Sequence, residues 1–432
     1  MIEIRQALDI IAQCVRACEK IEIPITKAAG MTLAESLCSQ IDVPPYRKAM
    51  MDGYAMRSTD WQPQYAFPVK GQVLAGETIG LAHLPAAAVM QIMTGAPVPD
   101  EADCVVMFEQ TASLSQLAPD HSTPIARDGL DQVQAAEISI PHRPPAGQFI
   151  MKQAQITRRG DALLPAGHCL QPIDIALAID TGNSLVNVIR QPHVAIMATG
   201  DELVSAGNSL QPGQIYNSNG AMLVQLVRQA GVEGMDLGIA PDIKSDLTKL
   251  VSLGLECDVL IMTGGVSAGV RDLVPGVLRD LGVKQQFHKV NLKPGKPVWF
   301  GTYEKADKNT LVFGLPGNPV SGFVCYQLFV KPALRALAGT GNESSFGERE
   351  LSAVLTKDHQ HSSDRVTFWP AMVREQPGGE HNASASYQRT IETLFWRGSS
   401  DLRTVAAANA LAIFPAGEQT YQAGTVVRCL MF

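Results

Sequence analysis

The chain has 432 residues, more than one hydrophobic core accommodates, which implies roughly two to four domains. With 46% hydrophobic and 18% charged residues it reads as globular, and a formal net charge of −7 excludes the broad basic surface that nucleic acid or a membrane requires. No apolar run approaches a membrane span and MIEIRQALDI lacks a basic segment ahead of an apolar core, so the cytoplasm is the expected compartment.

Apolar side chains at helical spacing over residues 3 to 20 (Ile4, Ala7, Leu8, Ile11, Cys14, Val15) predict a first helix. From about 41 to 140, short β-prone runs alternate with Pro and Gly, as in FPVKGQVLAGETIG, and predict a small β-rich domain. PHRPPAG and LPAGHCLQP then lead to a helix at 172–182. The β domain thus reads as an insertion (41–140) into an elongated element formed by 1–40 and 141–178.

Residues 179–338 give the clearest pattern. Strands are expected at HVAIMATG, 234–240, DVLIM (258–262), 286–292, PVWF and LVFGL (311–315). Helices are expected at 219–230, 243–254, 271–281 and 319–338. Such alternation predicts parallel crossovers in a doubly wound sheet, whose ligands gather at the carboxyl ends of the strands. GTGNESSFGERE reads as a linker, and short strands within 339–432 predict a small β barrel or sandwich.

The eight cysteines are scattered; only Cys14 and Cys18 are close, with a spacing that suits one helix face better than a metal loop. Reduced, packed thiols are expected, and no protein-bound zinc or iron.

LKPGKPVWFG sets Lys293 and Lys296 around a Pro294-Gly295 turn, and strand alternation would place Lys289 and Asn291 on the face of Lys293. Clustered ammonium groups repel unless an anion neutralises them, which points to an oxyanion site. The plainer alternative is a solvated edge strand whose lysines discourage aggregation. TGGVSAG (263–269) and PGNPVSG (316–322) let backbone approach a phosphate and offer Asn318 and Ser321 as donors, although β-α turns favour glycine in any case. Asp201, Glu202, Asp242 and Asp272 follow strands, where carboxylates hold a hard cation or cap helices. Phosphate loops, a cation and lysines together point to phosphoanhydride chemistry by positioning and charge neutralisation.

MDGYA (51–55), IMTGAPVP (92–99), ATGDEL (198–203), IYNSNG (215–220), TGGVSAG, LKPGKP and FGLPGNPVSG occur in the order found in the molybdopterin molybdenumtransferase family, which includes MoeA and the E domain of gephyrin. The chain resembles that family over essentially its whole length. The resemblance implies an α/β multidomain fold: a central doubly wound molybdopterin-binding domain, an inserted β-rich domain, an elongated N-terminal element and a C-terminal small β barrel. It implies an enzyme that inserts molybdate into adenylylated molybdopterin with release of AMP, using Mg2+.

By the same resemblance, molybdate sits near Lys293, Lys296 and Ser321, with Arg365 and Ser399 as helpers. Asp201, Glu202, Asp242 and Asp272 manage the magnesium and the anhydride, with Lys289 near the phosphates. Thr263, Gly264, Gly265, Ser267, Pro316, Asn318 and Pro319 face pterin and phosphate. The active unit is a homodimer in which Asp52 and Thr94 act across the interface, and other proteins of the molybdenum cofactor pathway are partners.

The sequence departs from the family pattern in several places. Lys48-Ala49 replace an Asn-Ser pair, MKQAQI (151–156) stands where a basic and acidic stretch is usual, and Val270 and Pro275 replace an acidic residue and a lysine. RVTFWP lacks a second basic residue, and RGS (397–399) stands for QGS. The alternative reading that these favour is a diverged, non-catalytic pterin- or nucleotide-binding or scaffolding relative.

Overall fold

The computed structural model describes residues 1–76, 83–113, 137–265, 273–305, 308–340, 346–347, 349–377 and 387–432. Its centre is a six-stranded sheet. Gly234–Ala240, Val194–Thr199, Val259–Thr263 and Lys308–Leu315 run parallel in that order, and Trp299–Lys305 and Lys284–His288 extend it with antiparallel pairing.

Two-residue alternation divides the sheet between two cores. Val194, Ile196, Val259, Ile261, Leu311 and Phe313 pack on one face against helix Ser218–Gln229 and the helix that starts at Pro319. Ala195, Met197, Leu260, Met262 and Val312 pack on the other face against Lys244–Gly254 and Val274–Asp280. The expected doubly wound sheet is therefore present, with a hairpin at one edge. The long helix contains a π turn at Tyr326–Val330, just before Pro332, whose missing N–H leaves an i−4 carbonyl without its helical donor.

The first helix is shorter than the periodicity predicts, Ile4–Cys14, because Val15 is already extended and the Cys18 N–H donates to the Leu337 carbonyl at 2.8 Å. Cys14 and Cys18 thus do not share a helix face. This helix packs through Ala7 and Ile11 into the central core rather than onto the rest of the N-terminal element. That element is a run of small antiparallel sheets with its own core of Leu33, Leu37, Leu170, Val186 and Val188. Strand Leu185–Ile189 pairs with Lys20–Pro24, which carries the element beyond residue 178.

The inserted β region is a six-stranded sheet around Gly53–Met56, Ala66–Val73 and Val89–Ile92. In the C-terminal region Val366–Pro377, Tyr387–Thr393, Leu351–Leu355, Val426–Met431 and Ala410–Phe414 close on themselves as a barrel. A short strand from the central region, Leu292–Lys293, pairs in parallel with the barrel strand Val366–Pro377 (Leu292↔Val366, Lys293↔Thr367). All eight cysteines are free.

Candidate oxyanion pocket and strand-end loops

The lysine turn is rigid for identifiable reasons. Gly295 has φ +120°, and a Cβ there would meet Cys325 Sγ at 2.6 Å and Leu292 Cδ1 at 2.8 Å, so only glycine fits without displacement. The Val290 and Val298 N–H groups donate to the Lys296 and Gly295 carbonyls at 3.0 and 3.1 Å, closing the loop from both sides. Pairing of Leu292–Lys293 with Val366 and Thr367 then brings Arg365 alongside, where its Nη1 donates to the Leu292 carbonyl at 3.2 Å.

Together these segments wall a cavity of about 460 Å³. Lys293, Lys296, Ser321, Arg365 and Ser399, five residues expected to meet an oxyanion, all line it. Trp369, Trp396 and Arg397 line it as well, and sequence reasoning missed them. The mismatch at RGS was the one available signal for Arg397.

The electrostatics are one-sided. Arg365 pairs with its neighbour Asp364 at 3.0 Å, whose carboxyl is held below the usual range first by that hydrogen bond, with the Lys296 charge a smaller contribution. Among the described residues neither Lys293, Lys296 nor Arg397 has a carboxylate within 4.0 Å, and no acidic side chain lines the cavity. The wall behind Lys293 is neutral. His361 is buried and its pKa lies below the ordinary value, chiefly through burial, with the Lys293 charge adding to the effect. His359, also buried, stacks on Phe414 at 4.3 Å and meets Trp369 edge-on at 4.7 Å, and burial pushes it down to about 4.

Lys289 does not line this cavity. The predicted strand 286–292 stops at His288, and Lys289 adopts φ +72°, which breaks the alternation assumed to align it with Lys293. Asn291 turns to Glu3 instead, donating to Oε1 at 2.9 Å.

The strand-end loops meet through a residue that was not singled out. Asn219 Nδ2 donates to Thr263 Oγ1 at 3.1 Å and to the Gly317 carbonyl at 2.7 Å, joining the IYNSNG, TGG and PGN segments. Gly264 has φ +90°, and a Cβ would meet the Thr199 carbonyl oxygen at 2.3 Å, so strand and loop approach closely there. Pro316 is buried and accepts from Thr263 Oγ1 at 3.4 Å, Pro319 opens the helix that carries buried Ser321, and Asn318 Oδ1 accepts from Ser400 Oγ at 3.4 Å. Ser267 and Asp272 lie outside the described residues.

Two of the expected carboxylates come together. The Asp242 N–H donates to Asp201 Oδ1 at 3.0 Å, and Asp242 Oδ1 accepts from Thr199 Oγ1 at 3.0 Å. Glu202 folds back over Gly200, its oxygens 2.6 and 2.7 Å from where a Cβ would stand. Among the described residues no three His, Cys, Asp or Glu side chains form a metal cluster. In the inserted sheet Asp52 Oδ1 accepts from Thr94 N at 2.7 Å and Thr94 Oγ1 at 2.8 Å, and these bonds, the backbone one foremost, hold its carboxyl below the ordinary range.

An α/β unit with a basic pocket sealed by a barrel, and a β-rich insertion, define a class of multidomain protein that comparison with known proteins identifies. Residues 2–182 match the family described as "MoeA N-terminal region (domain I and II)", and residues 195–336 match "Probable molybdopterin binding domain". The chain is 34% identical over 345 residues to a molybdopterin molybdenumtransferase of Haemophilus influenzae, covering 80% of this chain and 79% of that protein. It is 32% identical over 416 residues to one of Nostoc sp., covering 94% and 88%. The solved structure of the molybdopterin biosynthesis moeA protein from Pyrococcus horikoshii is similar over 100% of this chain and 99% of that one, with TM-score 0.77 and 28% identity. The chain belongs to the molybdopterin molybdenumtransferase family.

Proposed function

We propose that this chain acts in molybdenum cofactor biosynthesis, inserting molybdate into adenylylated molybdopterin and releasing AMP. The observation that carries this reading is the cavity of about 460 Å³ that Lys293, Lys296 and Arg397 line together, none with a carboxylate partner among the described residues. Like charges held that way stabilise a bound dianion and are relieved by it. Ser321 and Ser399 add neutral donors, and the tryptophan faces exclude water from one side, which strengthens every charge interaction within.

The loops around Thr263, Gly264, Gly265, Ser267, Pro316, Asn318 and Pro319 bind pterin and phosphate. Lys289 lies outside the oxyanion cavity, so its role is confined to the phosphates. Asp201 and Asp242 offer only oxygen donors, oriented by Thr199 and a backbone N–H, a set that fits a hard divalent cation of the kind held by one or two carboxylates plus substrate phosphates. Asp201 and Asp242, with substrate phosphates, would hold magnesium there, and the ion would supply charge neutralisation to the phosphoanhydride; Glu202, folded back over Gly200, forms no cluster with them among the described residues. The active unit is a homodimer in which Asp52 and Thr94 of one subunit face the strand-end loops of the other, and the other partners are proteins of the same biosynthetic pathway.

The test mixes purified protein with adenylylated molybdopterin, magnesium and molybdate and follows AMP. Release that requires molybdate is expected. Binding without release would overturn catalysis in favour of a non-catalytic relative, and release indifferent to molybdate would point to a nucleotide hydrolase.

A further inference from the structure

The oxyanion cavity contains a cation that neither the lysine turn nor Arg365 accounts for. Arg397 comes from the bend between strand Tyr387–Thr393 and helix Leu402–Ala406, and its side chain lines the cavity. The bend is held in place. Val320 N–H donates to the Ser399 carbonyl at 3.0 Å, and Arg397 N–H donates to Asp401 Oδ2 at 3.1 Å. The guanidinium carbon lies 5.6 Å from the centroid of the Phe395 ring, which leaves the N–H edges free to meet an acceptor.

Among the described residues no carboxylate forms an ion pair with that guanidinium, and its charge is only the smallest of the influences that lower the Asp401 carboxyl. Asp401 is closest in sequence, yet its oxygens are committed to capping: Oδ1 accepts from Thr404 N at 3.2 Å and Oδ2 from Thr404 Oγ1 at 2.8 Å. Asp364, the acid beside the cavity, is taken by Arg365. Arg397 is therefore a fourth cation in a pocket that already holds three, Lys293, Lys296 and Arg365. A fourth positive charge in one solvated cavity discriminates between ligands by charge, because its attraction scales with the charge of the anion it meets.

We propose that Arg397 is a specificity-determining residue that favours dianionic tetrahedral oxyanions over monoanions of the same shape. The inference rests on the oxyanion reading of the cavity.

Molybdate and perrhenate separate the two charge states in anions of closely similar size. Calorimetric titration of the full chain with each, for the parent protein, Arg397→Gln and Arg397→Lys, is the experiment. The glutamine variant is expected to lose about tenfold in molybdate affinity and about threefold in perrhenate affinity, since a doubled ligand charge doubles the lost energy and squares the ratio. The lysine variant restores most of the preference for molybdate, because it restores the charge. Arg397 is exposed, so the thermal midpoint of both variants stays with the parent and misfolding is excluded as a cause. Equal losses for both anions, no loss, or a lysine variant that behaves as glutamine would overturn the role given to Arg397. A parent protein that binds neither anion would overturn the oxyanion reading itself, a result distinct from those three.

Discussion

Two cavities of similar size sit at opposite ends of the central sheet, and both are edged with basic side chains. The one at the amino ends, about 530 Å³, contains Arg16, Arg190, Lys305 and Lys308, of which the last three are held by acceptors of the fold. Arg190 donates to Asp258 at 2.8 and 3.2 Å and to Glu19 at 2.6 Å, Lys305 donates to Glu256 at 3.0 Å, and Lys308 reaches the Glu256 carbonyl. The other, about 460 Å³, holds Lys293, Lys296 and Arg397, which have no such acceptors among the described residues, beside Arg365, which pairs with Asp364. Cation count alone would not separate these two places. What separates them is whether the fold supplies the counter-charge: at one end Arg190, Lys305 and Lys308 find acceptors, and at the other Lys293, Lys296 and Arg397 have no carboxylate within 4.0 Å among the described residues.

The contrast is broken most forcefully at Arg190. Arg190→Ala leaves Asp258, largely buried, without its bidentate partner and is expected to cost about 3 kcal/mol of folding stability. Urea unfolding measures that loss, and molybdate use per folded molecule should be unchanged. The mirror experiment is Lys293→Ala. Loss of a charged donor to the anion raises the molybdate concentration needed for half-maximal AMP release about 10- to 100-fold. The urea midpoint holds or rises, because repulsion from Lys296 and Arg397 is relieved. If Lys293→Ala destabilised the fold as Arg190→Ala does, the distinction between the two ends would fail.

A smaller effect is expected at Gly295. Its φ of +120° and the 2.6 Å approach to Cys325 Sγ make Gly295→Ala cost about 1–3 kcal/mol through strain, with weaker molybdate binding as the turn shifts. A pH dependence acts on the two ends in sequence. His359 is pushed down to about 4 from 6.5, so on acidification the unfolded chain takes up the proton first. The stability contributed by the neutral, buried ring is complete above about 6.5 and lost as pH falls from there to about 4. For Asp258, burial acts to raise the carboxyl, but hydrogen bonds from Arg190 and the His193 N–H outweigh it and hold the pKa below 3.8. That contribution is present above 3.8 and lost as pH falls through the depressed value. The barrel wall behind the pocket thus weakens before the Arg190 cluster does. A His359→Phe variant should make the stability profile shallower between pH 6.5 and about 4 in chemical denaturation, and an unchanged profile would remove His359 as a source.

The middle of the central sheet was legible because Val194–Thr199 and Val259–Thr263 are buried at every position and read as short apolar runs. The basic pocket was legible in its nearer half, since a Pro-Gly turn flanked by lysines is a local pattern. Arg397, Trp369 and Trp396 were not, because they reach the cavity from a barrel whose docking depends on pairing between segments about 70 residues apart. Lys289 was misplaced by a local event: one left-handed residue after His288 cancels the two-residue alternation. Periodicity also overran the first helix, whose end is set by a long-range bond from Cys18 to Leu337. In each case the sequence pattern described neighbours along the chain, and the deciding contact came from elsewhere.

Strand Leu292–Lys293 has a further consequence. It belongs by connectivity to the α/β unit and by hydrogen bonding to the barrel, so this short ladder joins two bodies that also share a core containing Phe323, Phe368, Leu411 and Leu430. The spacing between lysine tips and guanidinium groups is then a property of how those bodies abut, not of either alone. A tilt of the barrel by a few degrees would loosen the grip on an anion while every side chain kept its identity.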